Sequence, residues 1–178
     1  MSCSTYSLKG IARGCRDSIG GIKKVWLASD YDKVIAGVRV DEANTLSFET
    51  ALAAEFKVFN FFKNTGSMTS TLNTSENAGN SWTTEVALQF MKMETSKRLE
   101  VEAMVMGECA AVVLDVNGKY WFLGKDNPIT GSAATATTGT ANTDLNGYNV
   151  TLTDNSLNLP YEITNAEAIG ALEAIKIL

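Results

Sequence analysis

Between Ala110 and Gly124 the chain reads Ala-Ala-Val-Val-Leu-Asp-Val-Asn-Gly-Lys-Tyr-Trp-Phe-Leu-Gly, two apolar runs on either side of Asn117-Gly118. Asn-Gly suits the positive backbone angles of a two-residue hairpin turn, so two antiparallel strands are expected here. A second Asp-x-Asn-Gly stretch, Asp144 to Gly147, leads into Tyr148-Asn-Val-Thr-Leu-Thr, read as a strand to Thr153. The tract between the two turns, Lys125 to Leu145, is rich in threonine, alanine and glycine and has almost nothing to bury. A β-rich body with long polar excursions is the architecture these features imply.

Other segments carry the same signature. Ile22 to Ala28, announced by Gly20-Gly21, is β-branched and aromatic and reads as a strand, as does Val34 to Val40. Glu55 to Phe62 alternates with a period of two, placing Phe56 and Val58 on one face and Phe59 and Phe61 on the other, so both faces are expected to be covered. Trp82 to Met91 puts Trp82, Thr84, Val86, Leu88 and Phe90 on a single face. Asn64 to Asn80 is Thr-, Ser-, Asn- and Gly-rich, with Met68 and Leu72 the apolar side of a projecting hairpin.

The period changes once. From Thr95 to Met106, Leu99, Ala103 and Met106 recur at helical spacing while Lys97, Arg98, Glu100 and Glu102 face water, which predicts the main helix with Thr95 or Ser96 as its opening cap and Gly107 as its stop. Asn165 to Leu178 fits a short helix or a strand.

With 178 residues, 45% of them apolar and 20% charged, residues 1–178 are expected to form one domain. Three cysteines without a C-x-x-C pair, Cys3, Cys15 and Cys109, point to free thiols. The start of the chain has no secretion-signal pattern and no apolar run reaches the ~18–20 residues of a membrane span, so a soluble protein assembled in a reducing cytoplasm is expected, with no membrane insertion. A net charge of −5 without a Lys/Arg cluster argues against gripping nucleic acid, because that affinity comes from cations at phosphates.

Catalytic chemistry leaves no trace. There is no histidine, no G-x-S-x-G, no P-loop and no G-x-G-x-x-G, so the chain is not expected to be an enzyme or to carry a cofactor or metal. Asp115-x-Asn117-Gly118 and Asp144-x-Asn146-Gly147 lack the further acidic positions of a calcium loop and are explained as turns. Asp30 and Asp32 are read as sharing a solvated face, and Trp26, Trp82 and Trp121 as core or interface anchors.

The ordered series Gly20-Gly-Ile-Lys-Lys-Val-Trp, a polar hairpin between Phe56 and Phe90, Lys97-Arg98-Leu-Glu, Asp115-Val-Asn-Gly-Lys-Tyr-Trp-Phe-Leu-Gly-Lys and Thr138 to Thr153 followed by Leu159-Pro160 resembles the tail tube (major tail) proteins of long-tailed bacteriophages. More distantly it is similar to the inner tubes of contractile injection machines. The resemblance implies a mainly β (α+β) fold, a β-sandwich or barrel-like body with one flanking α-helix and long projecting hairpin or loops. It implies six-membered rings stacked into a virion tail tube that conducts genomic DNA without binding it specifically, with other tail proteins at the tube ends. The projecting arms fall at about 64–80 and 125–145, loose in the free chain and ordered between copies. Inter-subunit contact is expected at Met68, Thr69, Thr71, Leu72, Thr74, Trp82, Thr135, Thr137 and Thr138. A head decoration or head-to-tail connector protein and a β-sandwich binding module are the alternatives.

Overall fold

The computed structural model describes residue 8, residues 10–75 and residues 79–175. Eleven strands run β1 (Ile22–Ala28), β2 (Val38–Val40), β3 (Thr45–Phe48), β4 (Lys57–Phe59), β5 (Ser67–Asn73), β6 (Ser81–Met91), β7 (Ala110–Asp115), β8 (Tyr120–Leu123), β9 (Thr130–Thr137), β10 (Gly147–Ser156) and β11 (Tyr161–Ile163). Helices α1 (Tyr31–Gly37), α2 (Thr95–Met106) and α3 (Ala166–Glu173), with a 3-10 helix at Thr50–Glu55, complete a mainly β, α+β fold. Among the described residues α2 is the main helix expected from the sequence, α3 takes the helical one of the two options for Asn165 to Leu178, and α1 is additional.

The strands form two sheets. One has seven strands in the order β2-β3-β11-β8-β7-β1-β4, and the other four in the order β5-β6-β10-β9. The larger sheet is covered on both faces. Val25, Leu27, Ala111 and Val113 meet Val86, Leu88 and Phe90 of the smaller sheet and Val101 and Met104 of α2. Their neighbours Trp26, Ala28, Val112 and Leu114 point the other way, against Val34 of α1, Ala53 of the 3-10 helix and Ala168 and Leu172 of α3. Alternation sends successive side chains to opposite faces, so a strand buried on both reads as the unbroken apolar run seen in β7. Phe56 with Val58, and Phe59 with Phe61, divide between the two cores as their spacing predicts.

Polar contacts fix α3 on this sheet. Trp26 Nε1 donates to Leu172 O (3.2 Å), Lys24 Nζ reaches Glu173 Oε2 (2.6 Å), and Tyr120 Oη donates to Glu173 Oε1 (3.0 Å). Burial pushes the Tyr120 phenol up to about 12, and the Glu173 carboxylate acts in the same direction.

Several local expectations are corrected. The first half of Val34–Val40 is helical because Asp30 Oδ1 accepts from Lys33 N–H and caps α1, which gives Asp30 a structural role; only β2 remains extended. Helix α2 keeps its expected bounds and its Gly107 stop but opens at Glu94 without a side-chain cap. Its buried face is Val101 and Met104, leaving Leu99 53% and Met106 87% exposed. In the β7–β8 turn only Gly118 has positive φ (+84°), and Gly118 N–H closes on Asp115 O, so the loop is a turn followed by a left-handed glycine and not a two-residue turn. Cys15 is an exposed thiol and Cys109 a buried one, whereas Cys3 lies outside the described residues.

Candidate functional site

The four-stranded sheet is assembled from the sequence's two polar tracts. Residues 64–80 supply β5 and residues 125–145 supply β9, and these strands are the two edges of one sheet with β6 and β10 between them. Each lies along the chain's own sheet: β5 pairs with β6 from Ser67 to Asn73, and β9 pairs with β10 from Thr130 to Thr137 with a register shift near Ser132.

Period two then sorts the side chains. Even-numbered residues of β6 and β10, among them Val86, Leu88, Phe90, Tyr148, Val150 and Leu152, enter the core. Most odd-numbered ones face out, although the Thr153 hydroxyl is itself buried, and so do Ser67, Thr69, Thr71 and Asn73 of β5 and Ala133, Thr135 and Thr137 of β9, which sit opposite them. Among the described outward residues of these strands Glu85 is the one formal charge. Amides and hydroxyls link the face across strands: Asn73 Nδ2 donates to Thr83 Oγ1 (2.6 Å), Thr83 Oγ1 to Asn155 Oδ1 (2.7 Å), and Gln89 Nε2 to Asn149 Oδ1 (3.0 Å). Such ladders stiffen a polar sheet without adding charge.

The nine residues named from the sequence fall into two groups, one on β5 and its partner β6 and the other at the β9 edge. Thr69 and Thr71 face out on β5; Met68 and Leu72 share its other side, half-buried and exposed respectively, opposite Val86 and Trp82. Trp82 is half-buried at the start of β6, and Thr74 is exposed just past β5. Thr135 and Thr137 face out on β9 and Thr138 follows it, all exposed. β10 separates the two groups within one chain.

Edges of this length are normally blunted by charge, proline or strong bulging, since their unpaired N–H and C=O groups are templates for another strand. β5 (Ser-Met-Thr-Ser-Thr-Leu-Asn) and β9 (Thr-Gly-Ser-Ala-Ala-Thr-Ala-Thr) contain neither a charge nor a proline. Helix α2 leans on the sheet at Gly131, where a Cβ would lie 2.6 Å from Val105 Cγ1 and 2.7 Å from the Val105 backbone.

The loop after β9 is built by Asp144, not by a hairpin dipeptide. Its Oδ2 accepts from Ala141 N–H (2.8 Å), Thr140 N–H (2.9 Å) and Thr140 Oγ1 (3.2 Å), and these bonds, Ala141 first, hold its carboxyl below the ordinary value. Asn146 ties the loop to the entrance of α2 through Met93 N–H (3.1 Å) and Lys92 N–H (2.6 Å). Gly147 is required for a different reason from the one its dipeptide suggested: a Cβ there would stand 2.1 Å from Phe90 O.

Sequence reasoning missed Asp154, a core-facing carboxylate 3% exposed on β10. Its Oδ2 accepts from Gly124 N–H (3.1 Å) and joins the β8–β9 connection to β10, while Oδ1 has no partner. Burial, aided by Asp126, pushes its carboxyl up against the opposing pull of the Gly124 bond. Its signal was a charge at an even, inward position of the β10 alternation. Among the described residues no group of three or more His, Cys, Asp or Glu is arranged to hold a metal ion, and no helix is long and apolar enough to cross a membrane.

No known family model, curated protein or solved structure matches this chain.

Proposed function

We propose that the chain is the structural subunit of a phage tail tube, assembling head to tail into rings that stack into a conduit for DNA entering the host. The observation that carries this reading is the pair of long edges without a charge or a proline on a single sheet. Strand direction alternates across β5, β6, β10 and β9, so the first and last of the four strands run in opposite directions. Rotation of one copy that brings β5 beside its neighbour's β9 therefore creates an antiparallel seam, and repeating it closes a ring whose wall is one continuous sheet without edges. The resemblance to tail tube proteins supplies the ring number, six.

In this arrangement the outward hydroxyls and amides line the channel. A wall whose one described charge is Glu85 offers phosphates no cation to release counterions against, so DNA passes without being held. The partners are then further copies, other tail proteins at the tube ends and transiting DNA, and no catalytic group is called for.

Negative-stain imaging of the purified protein, with sedimentation across a concentration series, tests the proposal. Hollow cylinders of indefinite length are expected above a threshold concentration. Monomers, or closed rings that never stack, at every concentration would remove it.

A further inference from the structure

The two edges of the four-stranded sheet match each other residue by residue. The register shift of β9 lies opposite Thr151 and Leu152 of β10, so Ala133 to Thr137 is its regularly paired run. In that run Ala133, Thr135 and Thr137 point outward, while Ala134 and Ala136 stand opposite the core residues Val150 and Tyr148. On β5, Thr69, Thr71 and Asn73 point outward, and Met68, Ser70 and Leu72 take the core side opposite Val86, Thr84 and Trp82. Met68 packs against the core, but Leu72 is left 46% exposed on the same side.

A single chain cannot join these edges. β6 and β10 stand between them, which sets them roughly 14 Å apart at ~4.8 Å per strand, with their unpaired N–H and C=O groups pointing in opposite directions. A strand added to β5 therefore comes from another molecule. Four strands is an even number, so the alternation of hydrogen-bonded and non-hydrogen-bonded pairs runs on through a joint between β5 of one copy and β9 of the next.

Side-chain direction and Leu72 together narrow the register. Outward residues must stand opposite outward residues, because a slip of one position would turn Leu72 to the polar face. Two antiparallel registers then use the whole of Ala133 to Thr137. One sets Thr69 opposite Thr135 and leaves Leu72 opposite Ser132, where β9 bulges and the Ser132 hydroxyl bonds Thr151 O. The other sets Thr71 opposite Thr135, Thr69 opposite Thr137 and Leu72 opposite Ala134. Hydroxyls meet hydroxyls in both, so Leu72 decides: only in the second does it lie on a regular, apolar position small enough to admit it.

We infer that β5 of one copy pairs with a second copy's Ala133 to Thr137 in the register that opposes Thr71 to Thr135, and that Leu72, seated on Ala134, fixes this register. The register rests on the edge pairing proposed for the tube and adds to it the partner residues and the anchor.

The test is disulfide capture in the full-length chain with Cys3→Ser and Cys15→Ser as background. One variant carries Thr71→Cys with Thr135→Cys, the other Thr69→Cys with Thr135→Cys. Opposed residues of an antiparallel pair have Cα atoms about 4.5–5.5 Å apart, within the ~4.4–6.8 Å of a disulfide, whereas positions offset by two lie ~7–8 Å apart. Oxidised at concentrations where the parent forms cylinders, the first variant is expected to give a ladder of covalent multimers on a non-reducing gel, and the second at least tenfold less. A ladder from the second in place of the first would overturn the register. Leu72→Ser should melt as the parent does yet need at least tenfold more protein to form cylinders, and an unchanged threshold would overturn the role of Leu72. Negative-stain imaging separates the two failures: cylinders without either ladder remove this register and leave the tube, whereas a parent that forms no cylinders removes the tube and the register with it.

Discussion

The edges of the seven-stranded sheet, β2 and β4, are three residues long and carry Arg39 and Lys57, whereas those of the four-stranded sheet run seven and eight residues without a charge or a proline. Their interiors differ in the same sense. The larger sheet is packed on both faces and holds Trp26, Phe122 and Val113 at 1% exposure or less, while the smaller sheet presents one face of hydroxyls and amides to the outside. Short basic edges discourage pairing, and long neutral ones invite it. On the proposed reading, one sheet holds the monomer together and the other is the one a neighbour would continue.

That division predicts where stability resides. Trp26 fills the outer core, bonds Leu172 O and packs against Tyr120 with ring centroids 6.0 Å apart. Trp26→Ala is expected to lower unfolding free energy by about 3–5 kcal/mol, as for other large-to-small changes at fully buried aromatics. Urea unfolding measures it, and a loss under 1 kcal/mol would mean that the larger sheet is not the stabilising one.

What the sequence disclosed follows the same line. β1, β6, β7 and the whole of α2 were legible because long apolar patterns reflect burial that lies within the chain itself. The inward face of α2 was not, since Leu99, Ala103 and Met106 and the set Val101, Met104 and Val105 both recur at helical spacing and only tertiary packing chooses between them. α1 was hidden by β-branched residues whose strand preference is overridden by the Asp30 cap. Of the candidate site, the two polar tracts were visible as anomalies, but not that they belong to the same sheet: that depends on β6 and β10 pairing over ten residues from Gly147 to Ser156, a contact far apart in sequence.

A smaller effect sharpens the comparison at the boundary between the sheets. Asp154 faces the shared core with a carboxyl pushed up by burial and by Asp126, so its ionised form works against the fold. Its contribution is fully present below the ordinary value of 3.8 and is lost as pH rises through the higher folded-state value. Asp154→Asn keeps an acceptor for Gly124 N–H and removes the charge. The variant should melt above the parent at pH 7, the gap closing as pH falls toward 3.8. A variant that melts lower at pH 7 would show that the charge is used by a partner and that burial does not work against it.

The least change in stability is expected where assembly suffers most. Thr71→Lys and Thr135→Lys place a cation on the outward side of each edge, at positions already exposed, so neither buries a charge nor empties a core. Surface changes of this kind alter stability by less than about 0.5 kcal/mol. A lysine on an edge strand is, however, the common device against strand addition, and in a ring the two would repel across every seam. The double variant should therefore unfold as the parent does while failing to form cylinders at the concentrations where the parent does. Cylinders that persist would place the seam elsewhere, and the guarded edges of the larger sheet, β2 above all, would then have to carry the contact despite Arg39.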